Sequence, residues 1–159
     1  MPSAFRLIRI VALAVVLSAC ITQRPAADME ALRFLQLFVS ALNHADINEL
    51  TNLLGPDATA FLPLDSTPSE LVGREAIKAA FVPLFQELRN QGSGPDYMHL
   101  VAHNVHVQSF GRIAIITFDA GSGPVTSRRT LVIERSSGGW HVTHFHGSNI
   151  RQRTKEAGA

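Results

Sequence analysis

The chain divides where the period of its apolar positions changes. Leu32, Leu35, Phe38, Val39 and Leu42 recur at helical spacing and form one apolar stripe. A helix is therefore predicted from Asp28, whose carboxylate suits the N-cap. A second, short helix is predicted from Asp46, with Glu49 three residues on in a capping-box pattern and Gly55-Pro56 as its end. Asp57 to Leu64 reads as a short strand anchored by Phe61, with Pro63 marking an edge or its end. Gly73-Arg74-Glu75 opens a third helix bearing Ile77, Phe81, Leu84, Phe85 and Leu88. Pro83 inside it lacks the amide that would bond the Ala79 carbonyl, which predicts a kink or a break.

Gln91 to Pro95 is a breaker, and beyond it the helical period gives way to alternation. Strands are predicted over Tyr97–Gln108, Arg112–Ala120, Ser127–Arg135 and Trp140–Asn149, joined by short turns rich in Gly and Ser. In the last strand, alternation places Trp140, Val142, His144 and His146 on one face, and His141, Thr143, Phe145 and Gly147 on the other. Asp119 keeps step with Ile113, Ile115 and Thr117, which leaves two readings: a carboxylate facing inward at a pocket mouth, or a solvated strand end beside Gly121, the favoured one. Helices first and a strand meander afterwards is an α+β order. The expected architecture is a cone: a curved antiparallel sheet wrapped around a long, kinked helix, with a cavity inside.

The first residues change the picture of where this domain sits. Leu7 to Leu17 is an almost unbroken apolar run beside Arg6 and Arg9, which describes a secretory signal peptide over residues 1–19. The run is too short to span a bilayer, which takes ~20 apolar residues. Its exit, Leu17-Ser18-Ala19-Cys20, resembles the bacterial lipobox, in which the cysteine after the cut carries the lipid. That implies lipidation at Cys20, a tether over 20–27, the cone domain over 28–150 and a polar tail over 151–159. The implied address is the periplasmic face of the cell envelope, and Ile21 after the cysteine leans toward the outer membrane. Cys20 is the only cysteine, so no internal disulfide forms. Removing residues 1–19 takes two of the 14 basic residues and none of the 13 acids. The near-neutral remainder does not suit a nucleic-acid partner.

The stretch Gly138-Gly139-Trp140-His141-Val142-Thr143-His144-Phe145-His146-Gly147-Ser148, in this layout, resembles the nuclear-transport-factor-two-like superfamily, SnoaL-like branch. Within it the stretch is similar to the association (hub) domain of calcium/calmodulin-dependent protein kinase type two. There a Gly-Lys-Trp turn leads into a strand ending His-Phe-His-x-Ser. Asn104 to Val107 and Thr130 to Ile133 fit the same pattern, and the likeness spans about 28–150. It implies the cone fold and a homodimer or higher homo-oligomer. Relatives include isomerases, dehydratases, hydrolases and assembly modules, so the fold does not select an activity. The hub's cavity arginines, which hold small carboxylates there, match Asp119, Leu131 and Gly147 here. That property does not carry over by position; Arg128 or Arg129 would have to reach in from elsewhere.

Six of the seven histidines fall between His99 and His146. A His-x-His pair with a third imidazole suits Zn²⁺, but no carboxylate or cysteine is paired with the set in sequence. No metal and no cofactor is expected. The competing readings of His144 and His146 are bonds to neighbouring strands, an oligomer contact, or imidazoles lining a pocket. Asp119, His144 and His146 are the candidate catalytic groups, and Tyr97, His99, Trp140, Phe145 and Arg129 the candidate ligand contacts. Two functions compete. One is a lipid-anchored module that oligomerises, binds a small apolar or amphipathic molecule, or does both, without catalysis. The other is an isomerase, dehydratase or hydrolase using Asp119 with His144 or His146. The second requires Asp119 and a histidine to approach within ~3–6 Å inside one cavity.

Overall fold

The structure, a computed structural model, describes residues 26–63, 70–92, 94–121 and 125–151. Cys20, the apolar run before it and the tail after residue 151 lie outside the described residues. Among the described residues no helix is long and apolar enough to cross a membrane.

Helix α1 covers residues 26–43 and buries Leu35, Phe38 and Leu42 of the predicted stripe together with Phe34 and Ala41, while Leu32 and Val39 are half-buried and line a groove at its side. Asp28 is not its cap. It lies within the helix and accepts a hydrogen bond from Ser109 Oγ at 2.6 Å. Helix α2 (Ile47–Leu53) is capped by Asp46, which accepts from the Asn48 and Glu49 amides at 3.0 Å each. Strand β1 (Leu54–Phe61) follows with no loop, so Gly55-Pro56 lies inside a strand and does not merely end the helix. Gly55 is needed there because a Cβ would stand 2.7 Å from His141 Cδ2 on the neighbouring last strand. A two-residue strand, β2 (Leu71–Val72), is absent from the apolar pattern because it is too short to show a period. Helix α3 (Arg74–Gln91) buries Ile77, Phe81 and Phe85 and continues through Pro83 without a break. Ala79 and Pro83 are both exposed, so the carbonyl that the proline leaves unbonded can be hydrated.

Four strands complete the chain: β3 (Ala102–Phe110), β4 (Ile113–Ala120), β5 (Val125–Ser136) and β6 (Gly139–Arg151). The sheet order is β2-β1-β6-β5-β4-β3. The meander is antiparallel as expected, but β1 runs parallel to β6, so the sheet is mixed. These two strands are joined through α3 and the whole meander, which frees them from the antiparallel geometry that a hairpin imposes.

Side-chain parity departs from simple alternation in two places. On β6, Val132 pairs with His144 while Ile133 pairs with Val142, so Thr143 is an extra residue. Val142 consequently shares the helix-facing side with Phe145 and Gly147, while His144 and His146 face away. On β4 the buried set is Ala114, Ile116, Phe118 and Ala120. Asp119 therefore points with Ile113, Ile115 and Thr117 to the side without helices, not inward. A one-residue change of phase carries every side chain to the other face.

The core lies between the helices and the buried face of the sheet. Phe38 of α1 meets Phe145 of β6 edge-on, with ring centroids 5.2 Å apart. Residues 97–101, expected as strand, instead form a strap tied to the end of α1. Asn43 Nδ2 donates to the Leu100 carbonyl at 2.9 Å, and the Leu100 amide donates to Asn43 Oδ1 at 2.7 Å. The Tyr97 amide donates to the Asn43 carbonyl at 2.7 Å. Asn43→Ala leaves both Leu100 groups unsatisfied, and a loss of about 1–3 kcal/mol is expected in urea unfolding. Hydrogen exchange at the Leu100 amide should rise in step; protection unchanged from wild type would show that the clamp does not hold the strap.

Candidate functional site

Where the strap, the helices and the sheet meet, they enclose a cavity of about 50 Å³. Its walls are Leu42 of α1, Leu62 and Pro63 after β1, Phe81 and Leu84 of α3, Met98 and Leu100 of the strap, Arg129 of β5 and Phe145 of β6. Arg129 is there because β5 alternates, sending Arg129 inward with Leu131 while Arg128 stays exposed on the other face. Directly across the strand pair is Gly147. A Cβ at Gly147 would overlap Arg129 Nη1 and lie 3.1 Å from Pro63 Cδ, so the missing side chain is what makes room for the guanidinium.

The charge is poorly compensated. Arg129 Nη1 is the one buried side-chain nitrogen or oxygen among the described residues with no hydrogen-bond partner. Its Cζ lies 5.9 Å from the centroid of the Phe145 ring, at the outer limit of a cation–π contact. Burial, by desolvating the charged form, pushes the guanidinium below the ordinary arginine value. Arginine nevertheless remains a cation at neutral pH. Arg129 is the one titratable group among the described lining residues, so these offer a fixed positive charge.

Two of the ligand contacts expected from sequence, Phe145 and Arg129, come together here. Three do not. Tyr97 and His99 line a separate hollow with Asp96 and the residues following α3, where the Tyr97 ring closes over Gly92. Trp140 is held to α1 by its Nε1, which donates to Glu30 Oε2 at 3.1 Å, and Arg135 lies 4.8 Å over its ring.

Asp119, His144 and His146 are all on the opposite face of the sheet. Strand β5 separates β4 from β6, so their backbones are about 10 Å apart. Asp119 turns further away, accepting from Asn104 Nδ2 on β3 at 2.9 Å. His144 Nδ1 bonds Thr59 Oγ1 on β1 at 2.7 Å, and Phe61 packs against both imidazoles at 5.7 and 5.8 Å. The histidines thus serve the β1–β6 contact, and neither they nor Asp119 line the cavity. Among the described residues no three His, Cys, Asp or Glu side chains converge as a metal site. Sequence reasoning missed Met98 and Leu100 as cavity walls, because the strap that carries them reads as strand.

A larger groove, about 650 Å³, runs between α1 and the edge strand β3. It is open and holds no buried charge that its own neighbours fail to partner, so the smaller cavity is the stronger site despite its size.

The model of the SnoaL-like domain family matches residues 32–152. The chain belongs to the SnoaL-like domain family. Solved structures of the same fold include an NTF2-like protein of unknown function from Pseudomonas putida KT2440, with a TM-score of 0.65 and 22% identity over 78% of this chain and 87% of that one. A proposed dehydratase of the NTF2-like family from Streptomyces avermitilis also has a TM-score of 0.65, at 17% identity over 79% of this chain and 97% of that one. The CaMKII hub of S. rosetta has a TM-score of 0.61 and 23% identity, covering 77% of this chain and 95% of that one. No curated protein matches in sequence. At such identities the likeness extends to the α+β NTF2-like fold, and the activities of these proteins are not transferred by it. In this SnoaL-like chain the site must be argued from its own residues.

Proposed function

We propose that this SnoaL-like chain is a non-catalytic module, lipid-anchored through Cys20 on the periplasmic face of the envelope. In this reading it holds a small molecule in the cone cavity and self-associates through the open face of its sheet. The observation that carries the reading is the division of the titratable groups by the sheet. Among the described residues Arg129 is the one titratable group lining the cavity, while Asp119, His144 and His146 face the other side of the sheet. None of those three described residues lines the cavity that holds Arg129.

Self-association is supported by the open face. Phe61 and Ile113 are exposed there, and Ile115, Val132 and His144 form one cross-strand row without a covering helix among the described residues. An apolar row of that kind suits contact with a second sheet. The fold shared with a kinase hub points the same way. Sedimentation velocity on the purified protein should show a dimer or larger species. Val132→Glu, which sets a carboxylate in the middle of that row, is expected to weaken association at least about tenfold, because a charge buried without a partner is expensive. A wild-type protein that sediments as a monomer across the micromolar range would remove the self-association half of the reading.

The binding half has its own control. Asp119→Asn and His144→Ala are expected to leave ligand affinity within about twofold of wild type, because mutations at well-separated sites act independently. A loss of binding in either would return those residues to the site.

A further inference from the structure

On the open face of the sheet, two metal-binding side chains stand together without completing a site. Thr143 is the extra residue of β6, so alternation restarts after it and sends His144 and His146 out on the same side. Two residues apart on one strand, their Cα atoms are separated by about 6.5 Å. Both imidazoles pack against the ring of Phe61, at 5.7 and 5.8 Å between centroids. His144 Nδ1 bonds Thr59 Oγ1 at 2.7 Å. With Nδ1–H donating to that hydroxyl, Nε2 keeps its lone pair, the way a metal-ligating histidine is commonly oriented. Across the neighbouring strands the pair meets Thr59 and Phe61 on β1, and Thr130 and Val132 on β5. None of these is a carboxylate, a thiol or an imidazole. Among the described residues, one chain therefore supplies two ligands and no third.

We propose that His144 and His146 of two copies of this chain close a tetrahedral Zn²⁺ site at the centre of the self-associating face. The inference rests on the self-association half of the function above and is independent of the cavity. The position of the pair argues for it. Strand β6 is interior, with β1 and β2 on one side and β5, β4 and β3 on the other. His144 and His146 flank residue 145, the midpoint of Gly139–Arg151. A two-fold interface sets the same patch of both copies against itself. A contact centred on this face therefore brings the two histidine pairs together. Two ligands from each copy make four, the number a structural Zn²⁺ takes, at Zn–N distances of about 2.0–2.1 Å. An all-imidazole set suits Zn²⁺, whereas Mg²⁺ and Ca²⁺ take oxygen ligands. Phe61 against both rings and Thr59 on one of them hold the imidazoles in place before the ion arrives, which lowers the cost of ordering them.

The test is sedimentation velocity on the purified, untagged protein in EDTA, in Zn²⁺ and in Mg²⁺, with bound zinc counted by equilibrium dialysis. Association in EDTA reads the function proposed above; the increment with Zn²⁺ reads the inference. Zn²⁺ at about ten times its dissociation constant is expected to tighten association about tenfold, as mass action requires of an ion held by the associated form alone. Mg²⁺ should leave association unchanged, and one Zn²⁺ should bind per two chains. His146 is exposed, so His146→Ala should fold as wild type does and abolish the increment. His106→Ala removes an exposed imidazole from the same face, three strand spacings or about 14 Å from His146, and should keep it. Equal association in EDTA and in Zn²⁺, one Zn²⁺ per chain, or an increment that survives at His146→Ala overturns the bridged site and leaves self-association standing. A chain that is monomeric in all three solutions overturns the inference and the self-association half of the function together, whereas binding in the cavity stands apart from both.

Discussion

Phe145→Ala is expected to destabilise the domain by about 3–5 kcal/mol, the usual range for removing a buried aromatic ring. Phe145 is 3% exposed and lies on β6, which is flanked on both sides by β1 and β5. Its ring meets Phe38 of α1 at 5.2 Å, stands beneath the Arg129 guanidinium and forms one wall of the cavity. The surrounding structure has little means of collapsing into the space left behind. Gly147 brings no side chain, and the void created would merge with one that already exists. A fall in the thermal midpoint of roughly 10 °C or more should accompany the loss in urea. Phe145→Leu keeps most of the apolar volume and should recover the larger part, leaving a cost of about 1.5 kcal/mol. A cost below about 1 kcal/mol for the alanine variant would show that the ring is not part of the core.

How much of this was legible in the sequence depends on the range of the interactions involved. The stripe Leu32 to Leu42, the Asp46 cap and the four-strand meander are local, and local periodicity reports them correctly. Arg128-Arg129 likewise places one guanidinium on each face by alternation alone. The failures share a cause: each is decided by a partner distant in sequence. Thr143 is a bulge because of how β6 registers against β5, and that single residue takes His144 and His146 out of the face shared by Val142. Asp119 keeps step with two apolar residues, Ile113 and Ile115, yet its neighbours of opposite parity, Ile116 and Phe118, are the ones the core buries. Met98 and Leu100 become cavity walls because Asn43, 57 residues before Leu100, holds the strap with its side chain. Two of the nine wall residues, Phe145 and Arg129, were therefore visible as ligand contacts on the right strands. The rest required tertiary contacts that no period encodes.

Gly147→Ala is expected to displace the Arg129 guanidinium without unfolding the chain. The new Cβ would overlap Arg129 Nη1 and lie 3.0 Å from Cζ, so the guanidinium has to leave the cavity. Arginine can do so by rotating its flexible chain, and the backbone at 147 is not in the left-handed region, so alanine introduces no strain there. Two effects on stability then oppose each other. Expelling an unpartnered cation is favourable; pressing a methyl group toward Pro63 Cδ at 3.1 Å is not. Each is on the order of 1 kcal/mol, so the net change in urea unfolding should stay within about 1 kcal/mol. The decisive measurement is the double variant. If Gly147 matters only by making room for the guanidinium, the stability changes of Gly147→Ala and Arg129→Met in urea unfolding will not add. Stability changes that add would show that the space at Gly147 and the guanidinium of Arg129 are not coupled.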